Sequence, residues 1–525
     1  MKNIKILDCT LRDGGYVNDW RFGAKGISRI IENLEESNIE IIECGFIRNE
    51  EYSKGRSVYS SMKQLEQDIV PKKAGILYAV MIEYHNHVEK LITPYDGKGA
   101  DIIRLTFRKN EWEQAKLVAD KIKKMGYLVC IQPVGTTTYE DAELLNMVQE
   151  INQLKPYAFY LVDTLGMMYT KDIRRLYYLV DNNLSGDISI GLHSHNNLQM
   201  SFANAQEMIK LAACRPVIID TSCYGMGRGV GNLPTELFAD FINNELGTRY
   251  PLTPILELID QYLMPIYAKH RWGYDLPYFL SGTLKCHPNY ATFLMSKDAL
   301  GVKSIERIIS SLDTHERCEF NEELIQKMYL KYQESEIDDT CSIKKLEDKL
   351  AGKDVMILGS GASIKEDLNL IKRIKESKKL FAISVNFLPR EISVDAMFIS
   401  NEKRLGLLEE SKFQEDNMLI TSNLNYDGNT SLIFNYSQLL GEGDELDNSG
   451  AMLIRLLKKI KVRKVFLAGF DGYSIDLINN YSESEFIKSF DYDLILKKNT
   501  DISKQLKNAL NGVEYEFITK TRYKI

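Results

Sequence analysis

The sequence lacks several features that mark particular classes of protein. It has no apolar run close to the roughly 20 residues that span a bilayer, no CxxC pair, and no apolar stretch of the signal-peptide kind near its first residue. The formal net charge is only −7, and basic residues are mixed with acidic ones along the whole chain. We therefore expect a cytoplasmic protein with no membrane span and no nucleic-acid partner.

Cysteine and histidine are both sparse. The eight cysteines are scattered, and several lie inside apolar runs, which predicts buried free thiols rather than a disulfide framework or a zinc site. Only seven histidines occur in 525 residues, so two of them within one short motif are informative. A chain of this length is too long for one core and indicates at least two domains.

Short β-rich runs alternate with amphipathic segments along the first part of the chain. The segments between them, such as GISRIIENLEES, repeat apolar residues at intervals of three and four, as helices do. Eight strands in continuous alternation predict a closed (β/α)₈ TIM barrel of the α/β class. The eight predicted strands are 4–11, 39–46, 74–82, 101–107, 127–134, 158–164, 188–195 and 217–223.

Polar residues stand at the ends of several predicted strands. Arg12 and Asp13 end the first strand, Glu43 lies in the second, and His193 and His195 end the seventh. Because active sites of TIM barrels lie at the carboxyl ends of the strands, we expect these groups to converge on one rim.

The two histidines and Asp13 suggest a metal site. Residues at i and i+2 of an extended strand face the same side, so His193 and His195 can share one cation. Imidazole and carboxylate ligands suit Mn²⁺ or Mg²⁺, with Zn²⁺ and Co²⁺ as alternatives. The competing interpretation is a pair of hydrogen-bonded core histidines. Arg12 suits a substrate carboxylate or a developing enolate oxygen, and it can equally form an ion pair with Glu43.

Three motifs carry a family resemblance. LDCTLRDGGY (7–16), HSHNN (193–197) and GMGRGVGNLPTE (225–236) together resemble the HMGL-like DRE-TIM metallolyases, and most closely the 4-hydroxy-2-oxovalerate aldolase branch. The resemblance covers about residues 1–300. It implies metal ligation by Asp13, His193 and His195, with Asn232 as a further ligand, and enolate stabilisation by Arg12 oriented by Glu43.

This resemblance implies a divalent-metal-dependent aldolase. Such an enzyme forms or cleaves a carbon–carbon bond between the enolate of a pyruvate-like 2-oxo acid and an aldehyde. Two alternatives stay open: a Claisen-type acyl-CoA condensing enzyme or lyase, and a non-catalytic barrel attached to a transferase-like domain that binds a nucleotide sugar.

One residue departs from the aldolase pattern. Tyr16 stands where the resembled aldolases have a histidine that transfers protons, and a tyrosine is a better acid or hydrogen-bond donor than a base. We therefore consider His287 and Tyr290, in the aromatic segment 271–294, as further catalytic candidates. A packed helical cap is the alternative for that segment, and a solvated loop is the interpretation for His85 and His87.

The remaining chain predicts a second domain. After a barrel domain of 1–300 and a charged helical connector of 301–349, residues 350–525 predict a Rossmann-like, doubly wound α/β domain. Its first turn, GSGAS, can place Gly359, Gly361 and Ser363 around a phosphate. The domain loosely resembles bacterial sialyltransferases and pterin pyrophosphokinase-like proteins, which implies a nucleotide-sugar ligand and a role in surface-polysaccharide biosynthesis. A homo-oligomer is a further expectation.

Overall fold

The computed structural model describes residues 4–525 except 70, 213–214, 248, 407–416, 427–431, 442–447, 475–479 and 482–491. The chain forms two compact units. The first comprises Met1–Ala291 and Asp313–Phe320, and the second comprises Thr292–Leu312 and Asn321–Ile525. The division into 1–300, 301–349 and 350–525 stays a prediction. Within the described ranges, no helix is both long and apolar enough to cross a membrane.

The first unit contains a closed parallel barrel. Its strands follow the order β1-β9-β8-β7-β6-β5-β4-β2, and pairing between β1 and β2 closes the ring, while the short β3 extends β2. The predicted TIM barrel is therefore confirmed. The strands are β1 (Ile4–Asp8), β2 (Ile41–Ile47), β3 (Val58–Tyr59), β4 (Leu77–Glu83), β5 (Ile102–Phe107), β6 (Leu128–Pro133), β7 (Ala158–Asp163), β8 (Ser189–Ser194) and β9 (Val217–Thr221).

Helices accompany these strands, and the longer ones bury an apolar face. In α1, the buried residues Ile27, Ile30, Ile31 and Leu34 repeat at intervals of three and four. The helices up to residue 320 are α1 (Ala24–Glu36), α2 (Met62–Ile69), α3 (Trp112–Lys124), α4 (Asp141–Leu154), α5 (Thr170–Asp181), α6 (Ser201–Leu211), α7 (Thr235–Leu246), α8 (Thr253–Leu258), α9 (Met264–Tyr267), α10 (Leu276–Thr283), α11 (Pro288–Ser296), α12 (Val302–Ser310) and α13 (Thr314–Cys318). Of these, α12 and the part of α11 from Thr292 onwards belong to the second unit.

The barrel interior changes from apolar to charged along the strands. Ile41, Ile102 and Ile218 are buried in an apolar cluster. Two residues further along the same strands, and therefore on the same side, stand Glu43, Arg104 and Asp220. All three charged side chains are almost completely buried. A charged layer thus lies above an apolar one, towards the carboxyl ends of the strands.

The second unit contains a parallel sheet of seven described strands, ordered β14-β13-β12-β11-β10-β15-β16. The chain extends the sheet in one direction from β10 and then returns to add β15 on the other side, as doubly wound sheets do. This confirms the α/β class predicted for the domain. The strands are β10 (Asp354–Leu358), β11 (Phe381–Val385), β12 (Ala396–Ile399), β13 (Met418–Thr421), β14 (Leu432–Phe434), β15 (Lys464–Ala468) and β16 (Tyr515–Phe517).

Helices again accompany the strands of the second unit. The buried face of α20 is nearly continuous from Gly450 to Leu457, and it packs in the same apolar cluster as β10 and β15. The helices are α14 (Glu322–Gln333), α15 (Thr340–Leu350), α16 (Ser363–Glu366), α17 (Leu368–Ser377), α18 (Glu402–Leu405), α19 (Tyr436–Leu439), α20 (Ser449–Lys459) and α21 (Tyr492–Leu510).

Candidate active site

Three of the predicted metal ligands meet at the carboxyl end of the barrel. A tight turn after β1 places Asp13, whose backbone N–H donates to the carbonyl of Cys9 at 2.8 Å. His193 lies in β8, and His195 follows the end of that strand. One ligand atom from each of Asp13, His193 and His195 lies within 4.8 Å of the others. The structure therefore brings together a carboxylate and two imidazoles that can hold one cation.

Asn232 completes this group from the glycine-rich loop. Its backbone forms an isolated bridge with His195, and its side-chain Nδ2 donates to Asp13 Oδ2. Its Oδ1 is buried and has no hydrogen-bond partner among the described atoms. The loop requires glycine at Gly231, because φ is +86° and a Cβ would lie 1.9 Å from the carbonyl oxygen of Gly225. The unpartnered amide oxygen fits a role as a further cation ligand.

A series of buried ionic contacts holds His193 in place. His193 Nδ1 lies 2.9 Å from Asp220 Oδ2, which leaves Nε2 for a cation. Asp220 also accepts from Arg104, whose Nη1 donates to Glu43 Oε2 at 2.6 Å. The same Glu43 oxygen accepts from Arg12 Nε at 2.8 Å. The side chains from His193 to Arg12 therefore form one continuous network.

The ionisation states of the ligands suit a metal. Burial alone would raise the pKa of Asp13, but Arg12 and the two histidines outweigh it, so the pKa lies well below its usual range. Burial lowers the pKa of His195 to about 4, against the opposing pull of Asp13. At neutral pH, Asp13 is therefore a carboxylate and His195 a neutral imidazole, the forms that bind metal.

The charges of the network also favour a divalent cation. Arg12 and Arg104 contribute two positive charges, and Asp13, Glu43 and Asp220 contribute three negative ones. These five side chains together carry one net negative charge. A divalent cation changes this to one positive charge, which suits an anionic substrate.

Arg12 retains one unused group. Its Nε bonds Glu43, its Nη1 donates to Asp13 Oδ1 at 2.7 Å, and its Nη2 is buried without a partner among the described atoms. Burial opposes its positive charge, but the carboxylates of Glu43 and Asp13 raise the pKa of Arg12 above its ordinary value. A permanently charged donor left unpaired beside a cavity can bind a substrate oxygen.

These groups open into a cavity of about 340 Å³. Besides the ligands and Arg12, its walls combine charged groups with apolar side chains from the ends of several strands. The other lining residues are Tyr16, Phe46, Met81, Glu83, His85, Thr106, Phe107, Arg108, Gln132, Val134, Val162, Thr164, Asn197, Arg228, Tyr278, His287 and Pro288.

The remaining catalytic candidates take different positions. Tyr16 lines the cavity and packs edge to face on Trp20, with ring centroids 4.8 Å apart. His287 also lines it. Tyr290 is not among the lining residues, because it is fully buried and its hydroxyl donates to the carbonyls of Glu316 (2.9 Å) and Glu319 (2.7 Å).

Sequence reasoning misses several residues of the site, including His85, Arg104 and Asp220. The sequence favours a solvated loop for His85, and although exposed this residue lines the cavity. Arg104 and Asp220 are not among the predicted site residues, yet they connect His193 to Glu43. The sequence feature that could have identified Arg104 and Asp220 is a charged residue in the middle of the apolar runs IIRLTF and VIIDTSC, because an unpaired buried charge is costly.

The predicted phosphate turn of the second unit is already filled by a side chain. The backbone N–H of Ser363 donates to Asp471 Oδ2 at 2.8 Å, and its hydroxyl donates to Asp471 Oδ1. A Cβ at Gly361 would lie 2.5 Å from the Asp471 carboxyl carbon. Gly359 instead lines a separate cavity of the same unit. Phosphate binding by Gly359, Gly361 and Ser363 together stays a prediction.

The first part of the chain is similar in sequence to several known proteins. A family model described as HMGL-like matches residues 104–258. The oxaloacetate decarboxylase of Mycobacterium tuberculosis is 26% identical over 233 residues, which are 44% of this chain and 67% of the relative. The 4-hydroxy-2-oxovalerate aldolase of Desulfitobacterium hafniense is 25% identical over 314 residues, 58% of this chain and 89% of the relative. The solved HMG-CoA lyase of Bacillus subtilis is 12% identical and has a TM-score of 0.42. The comparison covers 50% of this chain and 93% of the lyase chain.

Residues 104–258 match the HMGL-like family, the class also called DRE-TIM metallolyases, and 4-hydroxy-2-oxovalerate aldolases are among the homologues of the chain. Within that class, its relatives identify it as an enzyme of the aldolase or carbon–carbon lyase kind.

Proposed function

We propose that the barrel is a divalent-metal-dependent aldolase that forms or cleaves a carbon–carbon bond between a 2-oxo acid enolate and an aldehyde. The observation that carries this proposal is the convergence of Asp13, His193 and His195 beside the unpartnered Nη2 of Arg12. A 2-oxo acid such as pyruvate offers a carboxylate and a keto oxygen to such a site. Mn²⁺ or Mg²⁺ fits the oxygen-containing ligand set, with Zn²⁺ and Co²⁺ as alternatives.

The chain's own residues bind and stabilise the reacting oxygens. The chemistry supplied by a bound divalent cation is Lewis-acid polarisation of the keto group. Arg12 Nη2 donates to the oxygen on which enolate charge develops, and Glu43 and Asp13 hold the guanidinium in place. In the synthetic direction, a methyl proton of the 2-oxo acid passes to solvent water, the resulting enolate carbon bonds to the aldehyde carbon, and the aldehyde oxygen takes a proton. Cleavage reverses these changes.

The proposal assigns the transfer of that proton to two residues that line the cavity, Tyr16 and His287. Burial, together with Glu83, raises the pKa of Tyr16, so its hydroxyl stays protonated and can donate at neutral pH. Burial and Arg228 lower the pKa of His287 to about 4, so its ring is neutral. Because His287 Nδ1 accepts from the backbone N–H of Asn289 at 3.2 Å, the ring proton belongs on Nε2. We assign both residues as donors to the aldehyde oxygen.

The test joins metal content to enolisation. Wild-type protein loaded with Mn²⁺ should hold about one equivalent of metal by mass spectrometry and should exchange the methyl protons of pyruvate with deuterated water. His193→Ala removes a ligand, so both metal and exchange should be lost. Exchange needs no aldehyde, so it tests the enolate before the second substrate is known.

His270→Ala is the matched control, because His270 is exposed and is not among the cavity's lining residues. It should keep both metal and exchange. Wild-type protein that binds Mn²⁺ but exchanges no pyruvate protons would contradict the aldolase proposal, and equal loss in both variants would show a general loss of fold.

Decarboxylation of a 2-oxo acid is a second candidate, because the named decarboxylase relative covers much of the barrel's length and loss of CO₂ can produce the same enolate. Release of CO₂ from oxaloacetate by the Mn²⁺-loaded protein, without cleavage of any 4-hydroxy-2-oxo acid, would favour it. The Claisen-type acyl-CoA alternative is tested separately. An acyl-CoA is added to the 2-oxo acid and the Mn²⁺-loaded protein, and release of the free CoA thiol is measured.

We infer that the two-domain chain serves the cytoplasmic synthesis of a sugar acid for surface polysaccharide. The proposal joins aldol chemistry in the barrel to the nucleotide-sugar ligand that the resemblance of residues 350–525 implies. Incorporation of labelled pyruvate into the polysaccharide in cells with the wild-type protein, and its loss in cells with His193→Ala, is the corresponding test.

A further inference from the structure

The second unit has a cavity of about 200 Å³ at the carboxyl edge of its sheet. Gly359 follows β10, Asn386 follows β11, Asn401 follows β12 and Gly469 follows β15, and all four line the cavity. The strands β10 and β15 are neighbours at which the strand order reverses. In open α/β sheets, this crevice is where ligands bind.

Cationic side chains dominate the charge of this cavity. Among the described lining residues, Lys297, Arg404 and Lys498 face a single carboxylate, Asp298, which itself pairs with Lys403 at 3.2 Å. Lys498 is only 8% exposed. Burial lowers its pKa to about 8, which reflects the cost of holding a positive charge there. An anionic ligand would offset that cost.

The backbone adds donors beside these cations. Ser449 and Gly450, the first two residues of the eleven-residue helix α20, line the cavity. The approach is close, because a Cβ at Gly450 would lie 2.6 Å from a ring carbon of Phe470. Asn386 Nδ2 donates to Ser449 Oγ at 2.6 Å and fixes this end of the helix against β11. Together with Arg404 and Lys498, these donors match a phosphate group.

Aromatic rings form another part of the wall. Phe470, Tyr473, Tyr481 and Tyr523 all line the cavity. Arg404 lies 5.8 Å from the centroid of the Tyr481 ring. The rings offer flat apolar surface next to the cations, which a bare phosphate would not use and an organic phosphate with a planar base would.

We propose that this cavity binds a nucleoside phosphate, with its phosphate held by Arg404 and Lys498 and its nucleoside against the aromatic wall. Of the GSGAS turn, Gly359 and Ser360 line this cavity. The proposed phosphate position lies away from Ser363, where the Asp471 carboxylate already accepts two hydrogen bonds and would repel a phosphate. The proposal concerns the second unit and does not depend on the activity of the barrel.

Calorimetric titration of the full chain at low salt tests the proposal. The probes are AMP, GMP, CMP and UMP, their diphosphates, and inorganic phosphate. At least one nucleotide should bind, and Arg404→Gln and Lys498→Met should each weaken it about tenfold or more, because each removes a charged donor to the phosphate.

Arg463→Gln is the matched control, since Arg463 precedes β15 at the opposite end of that strand, is 67% exposed and pairs with Asp354. It should leave nucleotide affinity unchanged. Ser360→Phe narrows the cavity without removing a cation and should also weaken binding, which covers the case in which Lys498→Met fails to fold. No nucleotide binding, inorganic phosphate binding as tightly as any nucleotide, or equal weakening by Arg463→Gln would overturn the proposal.

Discussion

Asp220 determines how His193 presents its ring to a metal. One carboxylate oxygen of Asp220 contacts both His193 Nδ1 and Arg104, and the other is buried without a partner among the described atoms. Burial opposes ionisation, but Arg104 and His193 lower the pKa of Asp220, so it is charged at neutral pH. A charged acceptor fixes the ring orientation and makes Nε2 the ligand atom.

Asp220→Asn should weaken metal binding. The amide keeps the size of the carboxylate but loses its charge, so Mn²⁺ affinity should fall about 10- to 100-fold. Leaving Arg104 with one fewer buried ion-pair partner should also reduce the free energy of unfolding by about 3 kcal/mol. Metal titration and chemical denaturation measure the two effects separately.

Asp8→Asn is the control for that substitution. Asp8 is equally buried and accepts from Thr235 Oγ1 at 2.6 Å and Thr10 N at 2.9 Å, but it is not among the residues that line the cavity. It should reduce stability and leave Mn²⁺ affinity unchanged. Equal losses of metal affinity in both variants would contradict a specific role for Asp220.

The ease of predicting a site residue depends on where it lies in its strand. Arg12, Asp13 and His195 stand at or beyond strand ends, where a polar side chain is conspicuous and the barrel rule gives it a direction. Arg104 and Asp220 lie within strands. Because side chains alternate between the two faces of a strand, the sequence can predict that Arg104 and Asp220 point into the barrel. It does not reveal which residues of other strands they contact.

At the scale of elements, an irregularity in β2 positions Glu43. The pairing of β2 with β4 shifts register between Glu43 and Phe46, and beyond the shift Phe46 pairs with Val58 of β3. Gly45 makes this possible with φ of +141°, and a Cβ there would lie 1.9 Å from the carbonyl oxygen of Ser57. Such bulges are common beside active sites, where they redirect a side chain.

Gly45→Ala should therefore disturb both stability and the site. The added methyl forces β2 away from Ser57, which should cost about 3 kcal/mol of unfolding free energy, since it combines overpacking with an unfavourable φ. Glu43 lies in the same strand as Gly45 and accepts a hydrogen bond from Arg12. A displaced β2 should therefore also reduce pyruvate proton exchange. Chemical denaturation and the exchange assay measure these two effects.

Gly75→Ala separates the two causes. Gly75 also has a positive φ, +86°, but apart from its chain neighbours no described atom lies within 4 Å of the position that an alanine methyl group would occupy, so only the backbone cost applies. We expect a loss of about 1 kcal/mol and no change in proton exchange. A Gly45→Ala protein as stable and active as Gly75→Ala would contradict the role of the bulge.

Continuous apolar runs make most strands predictable. All eight barrel strands fall within or overlap the predicted segments. The sequence does not predict the short β3 and β14, because with two and three residues neither is long enough to show a period of two. Strand order in the second sheet depends on tertiary pairing and could only be assumed from its resemblance to doubly wound folds.

At the scale of the whole molecule, each unit has a large apolar core of its own. The largest buried cluster of the first unit runs from Ile4 to Trp272, and that of the second runs from Leu346 to Leu510. The described metal-ligand group, Asp13, His193 and His195, belongs to the first unit. A cation that binds only folded protein should therefore stabilise the unit that contains its ligands.

Calorimetric unfolding with and without Mn²⁺ should show this selectivity. When free Mn²⁺ is about 100 times its dissociation constant, its binding should raise the free energy of unfolding of the first unit by about 2.7 kcal/mol. For a unit of this size, that corresponds to a rise of several degrees in the barrel transition, since about 1 kcal/mol shifts Tm by roughly 2–4 °C. The transition of the second unit should stay where it is, and chelation should reverse the barrel shift.

His193→Ala should abolish the shift while His270→Ala keeps it. A Mn²⁺-dependent rise that persists in His193→Ala would place the cation elsewhere in the chain, and the metal site inferred from Asp13, His193 and His195 would then be wrong.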